Sequence, residues 1–368
     1  MYIFLDTNIY YNNWLMRSPL FVKLISYCND TGVTLLLPEL VALEVQAKYD
    51  EERGKLLGQI EKERRAAEGF GMNLPEPTSQ LASGGYDFLD IVRGKFHHVI
   101  QIPFEKVEHS ILVRKAIEGA RPFRSSEKGY RDALIWHSLL CFLEESRSLE
   151  SVAFITNNSN DFFEIKEGNL IFHGDLQGDI KKAGLRCEFL LFNSLAAFLN
   201  KNKVVSRGAV DQERLVSEML PTLEEAAEQE ALEYLNSLSA SENQRLFSQA
   251  GFDAHLISML RGVEWSMVEG TEDPYLGPGE LVQDSAVFVP YTFNLRTIEA
   301  TWEIYTPEYL QNKSKFDASF FYNADSDSTI TTASLSARCY FRASFIVDAA
   351  EIEVLASAID AAWLRPYS

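Results

Sequence analysis

The chain has 368 residues, 46% of them apolar and 24% charged, with a formal charge of -19, enough for a substantial core and two or three domains. Its four cysteines, Cys28, Cys141, Cys187 and Cys339, form no CxxC pair, which argues against a disulfide scaffold or a compact zinc site and suits a reducing compartment. No basic leader followed by an apolar run opens the chain and no run is long enough to span a bilayer, so a cytoplasmic protein without a membrane partner is expected.

Tyr2 to Leu5 read as a short apolar strand, closed by Asp6-Thr7-Asn8. Parallel sheets place functional groups just beyond the carboxyl ends of their strands, so Asp6 suits a metal site there; equally, Asp6 or Asn8 caps the next helix. A helix is predicted from Pro19 to Tyr27, with Ser18 as N-cap, and a strand from Val33 to Leu37. A second helix, Glu39 to Tyr49, carries Leu40, Leu43 and Ala47 on one face with Val41 beside them, and Glu44 on much the same side. A carboxylate turned inward needs a partner or a cation; a surface pair with Lys48 is the plain alternative. Residues 50–70 are charged and helix-forming, 71–87 read as a loop with Gly84-Gly85, Val99 to Pro103 as a short connector, and Phe104 to Ala120 as a helix using Val107, Ile111 and Val113.

Gly129 breaks the pattern before a helix expected near Tyr130, with Asp132 in its first turn and Ala133, Leu134, Ile135, Leu139 and Leu140 buried. Asp132 gains there from the helix dipole alone. The cluster Arg121, Arg124, Lys128 and Arg131 just before it suits phosphate holding. Val152 to Thr156 is another buried strand, ending in Asn157-Asn-Ser-Asn-Asp161-Phe162; Asp161 follows its strand much as Asp6 does, and caps a turn on the simpler view. Short strands are expected at 170–172 and 187–192, with Phe189 to Leu199 readable as strand then helix.

The character then changes. Residues 209–368 carry 9 Lys+Arg against 26 Asp+Glu, whereas 1–208 carry 25 against 27. The acidic part should repel a polyanion, so a protein partner or a homodimer through it is the natural expectation. Leu215, Met219, Leu223, Ala227 and Leu232 support helices through Leu238, and Ser241 to Leu260 a helical pair broken at Gly251-Phe252. A linker is expected over Glu269 to Gly279, then extended segments at 286–291, 297–305, 316–322, 329–345 and 351–359 in an antiparallel sheet. The six histidines are scattered, and His97-His98 has no matching carboxylates.

FLDTNI at 4–9, LEV at 43–45, KGYRDALI at 128–135 and FITNNSNDF at 154–162 occur in the order found in PIN-domain nucleases. The first 200 or so residues therefore resemble that family, particularly its divergent prokaryotic PIN-like members. The resemblance implies a three-layer α/β core with a mostly parallel sheet over 1–208, including a helical excursion at about 50–120. A helical acidic region (209–268) and a mainly antiparallel β domain (269–368) lie outside it. It implies catalytic and metal-holding roles for Asp6, Glu44, Asp132 and Asp161, with Thr7, Asn8 and Asn157 in support and Arg124, Lys128 and Arg131 on substrate phosphates.

Four carboxylates suit one or two Mg²⁺ or Mn²⁺ ions, which favour oxygen ligands and assist phosphodiester hydrolysis. The resulting expectation is a metal-dependent endoribonuclease acting on single-stranded or structured RNA, with DNA as a second substrate class and a toxin or phage-defence role compatible with the family. The alternatives are a catalytically weak nucleic-acid-binding or regulatory protein, and a metal-dependent DNA or 5′ nuclease or phosphatase.

Overall fold

Strand Tyr2–Leu5 (β1) lies at the centre of the first unit. Ile3, Phe4 and Leu5 are wholly buried, as a strand covered on both faces requires. The computed structural model describes residues 1–72, 85–123, 129–147, 150–202, 210–283, 285–319 and 321–366, and the chain divides into two units, Met1–Val204 and Val205–Ser368. In the first, β1 is followed by α1 (Thr7–Tyr10), α2 (Pro19–Thr31), β2 (Thr34–Pro38), α3 (Glu39–Gly69) and α4 (Phe88–Lys95). Then come β3 (Val99–Ile102), α5 (His109–Glu118), α6 (Tyr130–Ser146), β4 (Val152–Ile155) and α7 (Ser159–Phe162). A small hairpin, β5 (Phe163–Lys166) and β6 (Asn169–Phe172), precedes α8 (Gly174–Lys182), β7 (Phe189–Phe192) and α9 (Leu195–Lys201).

The sheet order is β3-β2-β1-β4-β7, and every pairing is parallel. The chain runs outward from β1 to one side and later returns to the other, which makes the carboxyl ends of β1 and β4 a topological switch point, the usual place for a ligand crevice in an open α/β sheet. Helix α2 starts with Pro19 and ends at Gly32, whose φ of 68° lets its amide close on the Cys28 carbonyl, a left-handed stop that glycine takes without strain. Ser18 sits at the N-cap position but its side chain makes no capping bond; Asn13 Nδ2 donates to it instead.

Several expectations are corrected. Val99–Ile102 is not a connector but an edge strand of the main sheet, registered on Leu35 to Pro38. The face that α3 buries is Val41, Ala42 and Val45, whereas Leu43 and Ala47 are exposed. The buried face is turned by part of a helical turn from the expected one, because alanine and valine fill the helix–sheet contact as well as leucine would. The predicted helix over 104–120 shrinks to α5, with Leu112 buried but Ile111 and Val113 exposed. The 71–87 loop lies mostly outside the described residues, as do Arg124 and Lys128.

The second unit begins with α10 (Gln212–Ser237), α11 (Ala240–Gln249) and α12 (Ala254–Ser258). Leu215, Met219, Leu223, Ala227, Ala231 and Leu235 recur every fourth residue and are all buried, the apolar stripe that a helix lays on a sheet. The sheet comprises β8 (Gly262–Leu276), β9 (Glu280–Gln283), β10 (Ala286–Tyr305), β11 (Tyr322–Ser326), β12 (Ile330–Asp348) and β13 (Glu353–Pro366), with α13 (Thr306–Ala318) between β10 and β11. All its pairings are antiparallel, and β10 and β12 run beside each other for most of their length. The expected linker at Glu269 to Gly279 is mostly strand β8, an exposed acidic edge whose charges disguise it and also discourage pairing with another chain. Of the strand expected over 316–322, residues 316–318 end α13 instead and Tyr322 begins β11. Among the described residues no helix is long and apolar enough to cross a membrane.

Asp360 sits at an irregularity in the β12–β13 register, half-buried, and accepts a bond from Ser344 Oγ at 3.2 Å. Burial pushes its pKa up to about 6, against the opposing pull of the Ser344 bond and the Arg342 charge. A carboxyl raised above its ordinary 3.8 contributes stability that is full below pH ~4 and lost as pH rises through about 6. Asp360→Asn is therefore expected to stabilise the protein by about 1 kcal/mol more at pH 8 than at pH 5, a figure discounted for partial solvent access. Urea unfolding of both proteins at the two pH values checks it; an equal difference at both would show that Asp360 titrates normally.

Candidate active site

Asp6 follows β1 and Thr156 follows β4, so the pairing of those strands sets the two side chains side by side at the switch point. Thr156 Oγ1 donates to Asp6 Oδ2 at 2.6 Å, Asn8 Nδ2 donates to the same oxygen at 2.8 Å, and the Thr7 amide donates to Oδ1 at 2.8 Å. Asp6 thereby caps α1 while being held from three directions, and only 3% of it is exposed. The orientation of Asn8 is fixed in turn, because the backbone amide of Asn157 donates to its Oδ1 at 3.0 Å. Asn157 thus contributes through its main chain.

Thr7 makes the second link. Its Oγ1 donates to Glu44 Oε2 at 2.7 Å, joining the end of β1 to the second turn of α3. The surface pairing of Glu44 with Lys48 does not form; Lys48 bonds Glu51 and Glu52, and Glu44 is instead met by Arg131 at 3.2 Å. Desolvation pushes the Asp6 pKa up to about 6, partly opposed by its hydrogen bonds, and the negative charge of Glu44 adds to the rise. A buried carboxyl raised by desolvation and by a second, half-buried carboxylate beside it is a setting that favours cation binding.

Asp132 lies half-buried in the first turn of α6, directly after the arginine that meets Glu44. The start of that helix is fixed sterically: Gly129 has a φ of 107°, and a Cβ there would fall 2.5 Å from the Pro122 carbonyl oxygen. Asp161 is buried in α7, where Arg121 reaches its Oδ1 at 3.4 Å and the Asn160 carbonyl at 3.0 Å. The Arg121 amide also donates to Asp175 Oδ2 at 2.9 Å. Of the four acids, the structure links Asp6 and Glu44 through one residue, Thr7, whose amide bonds Asp6 and whose hydroxyl bonds Glu44. Among the described residues no group of three or more His, Cys, Asp and Glu is spaced to hold a metal ion.

The donor chemistry nonetheless suits a hard cation. Mg²⁺ is commonly held by one or two carboxylates, with substrate phosphate and water completing its shell, and Asp6 with Glu44 supplies that pair. Thr156 is the residue that sequence reasoning missed. Its signal was available, since it follows β4 at the position that Asp6 occupies after β1. Tyr11, at the end of α1, was also passed over; its ring lies within electrostatic reach of Asp6, Glu44, Lys48 and Arg131.

No curated protein and no solved structure matches the chain in comparison. The family model described as PIN domain matches residues 3–162, the stretch that runs from β1 to the end of α7 and contains all four acids. Residues 3–162 belong to the PIN domain family, and that membership supports a nuclease-like function in general terms.

Proposed function

We propose that the first unit is a divalent-metal-dependent ribonuclease that hydrolyses internal phosphodiester bonds of unpaired RNA. The observation that carries this reading is the Asp6–Thr7–Glu44 linkage, a buried acid and a half-buried one tied together at the switch point of a parallel sheet. Asp6 and Glu44 would hold Mg²⁺ or Mn²⁺, which supplies charge neutralisation at the scissile phosphate when bound. Glu44, the more accessible of the two, would either complete the cation's ligand set or position the attacking water. Arg131, three-quarters exposed and already over Glu44, is suited to a phosphate oxygen and gives position rather than base preference. Thr156, Asn8 and Thr7 keep the Asp6 oxygens aimed. Asp132 and Asp161 would reach the cation through water, the first next to an arginine in sequence and the second bonded to one.

A 5′-labelled single-stranded RNA incubated with the protein in Mg²⁺, Mn²⁺ or EDTA tests the reading. Internal cleavage with either metal, none in EDTA, and a loss of at least about tenfold in Asp132→Asn are expected. Binding without cleavage under every condition would favour the regulatory nucleic-acid-binding alternative, and release of terminal phosphate alone would favour a phosphatase.

A further inference from the structure

Beside the acid pair the chain builds a run of aromatic rings that the hydrolytic chemistry does not use. Tyr11 is 40% exposed, and its ring centroid lies 6.0 Å from that of Trp14. Trp14 meets Tyr49 edge-on at 6.0 Å, and Tyr49 stacks on Tyr86 at 3.7 Å with planes 18° apart. The Tyr86 hydroxyl donates to the Trp14 carbonyl at 2.9 Å, so α3, the segment after α1 and the residue before α4 brace the run as one piece. Trp14, Tyr49 and Tyr86 are half-buried, which leaves part of each at the surface. The run begins five residues after Asp6 and meets α3 at Tyr49, five residues beyond Glu44. Tyr11 thus lies within electrostatic reach of the acid pair and of two cations, Lys48 and Arg131, which are themselves paired with Glu51, Glu52 and Glu44.

Packing alone explains why Tyr49 and Tyr86 stack. It does not explain an exposed Tyr11 set against Trp14 within reach of the acids, in surroundings that also hold cations. Aromatic faces beside a basic track are the means by which proteins take unpaired nucleic acid, since every base has a face to stack while a duplex hides its own.

We propose that Tyr11 and Trp14, braced by Tyr49 and Tyr86, are a stacking platform for the bases of single-stranded nucleic acid next to the bond that Asp6 and Glu44 hydrolyse. This rests on the hydrolase reading for the position of the scissile bond, and it names the feature that selects unpaired substrate.

Binding in EDTA, read by anisotropy of a fluorescein-labelled RNA 12-mer, separates the two claims. Tyr11→Ala and Trp14→Ala are expected to weaken binding of the single strand about tenfold or more. Tyr11→Phe and Trp14→Phe should stay within about threefold, since they keep a ring to stack. A 12-mer of abasic ribose phosphate should bind weakly and equally to wild type and all variants. Melting curves matching wild type for Tyr11→Ala establish that the fold is intact. Full affinity in both alanine variants, an equal loss on the abasic strand, or no binding by wild type would overturn the platform. Cleavage at wild-type efficiency by both alanine variants would remove the platform and leave the hydrolase. Base-dependent binding without metal-dependent cleavage would keep the platform and remove the hydrolase.

Discussion

Asp6→Asn is expected to reduce RNA cleavage by about 10²–10³-fold while leaving the protein folded, and in EDTA at pH 8 no less stable than wild type. The first part follows from charge. The substitution keeps the shape of the side chain but removes half of the paired negative charge that would hold a cation, and losing a single preorganised electrostatic contact costs about 10²–10³ in rate. The second part follows from linkage. The Asp6 pKa stands at about 6 against an ordinary 3.8, so the stability associated with its proton is complete below pH ~4 and lost as pH rises through about 6. Two pH units correspond to about 3 kcal/mol for a buried group. Against that gain, the new amide nitrogen faces Asn8 Nδ2, and Thr156 Oγ1 must turn to accept a bond; a mispaired buried polar contact costs about 1–3 kcal/mol. The terms nearly cancel at pH 8, whereas at pH 5 the mispairing dominates and the variant should be the weaker protein. Steady-state cleavage and urea unfolding at both pH values check the two parts together. Retained cleavage would remove Asp6 from the chemistry, and collapse at pH 8 would show that the carboxylate is needed for folding.

The largest effect on stability is expected outside the Asp6–Glu44 pair, at Lys115 and Asp179. Lys115 on α5 and Asp179 on α8 are buried, and Nζ lies 2.6 Å from Oδ2. The same oxygen accepts Trp136 Nε1 at 3.1 Å, so one carboxylate ties α5, α6 and α8. His137 Nε2 lies 3.9 Å away without a hydrogen-bond partner among the described residues. Burial holds the His137 pKa down to about 4, which keeps the ring neutral and unable to replace a lost cation near pH 7. Lys115→Met should therefore cost about 3–5 kcal/mol, because it strands a buried charge, and Asp179→Leu a similar amount. Removing both charges together should cost much less than the sum of the two. A double-mutant cycle in urea measures this; additive losses would show that the two charges do not depend on each other.

Much of the first unit was legible because parallel strands are nearly continuous apolar runs. YIFL and VAFI announce β1 and β4, and the small polar residues after them mark where those strands stop. What escaped was short or disguised. VIQI is four residues on a sheet edge, and β8 carries Glu264, Glu269, Glu272 and Asp273 in an exposed strand that reads as a linker. The buried side of α3 is rotated from the Leu40, Leu43 and Ala47 face, because Val41, Ala42 and Val45 pack on the core instead. In the site, residue types were readable but distances were not. The Thr7–Glu44 bond spans 37 residues and the Thr156–Asp6 bond 150, and only the sheet order brings such partners together.

Anomalous diffraction from crystals soaked in Mn²⁺ addresses the central claim most directly. A peak within bonding distance of carboxylate oxygens of both Asp6 and Glu44, absent from the same crystals of Asp6→Asn, is the expected result. Manganese bound only elsewhere, or none at that pair at millimolar Mn²⁺, would contradict the assignment of these two acids as the cation site.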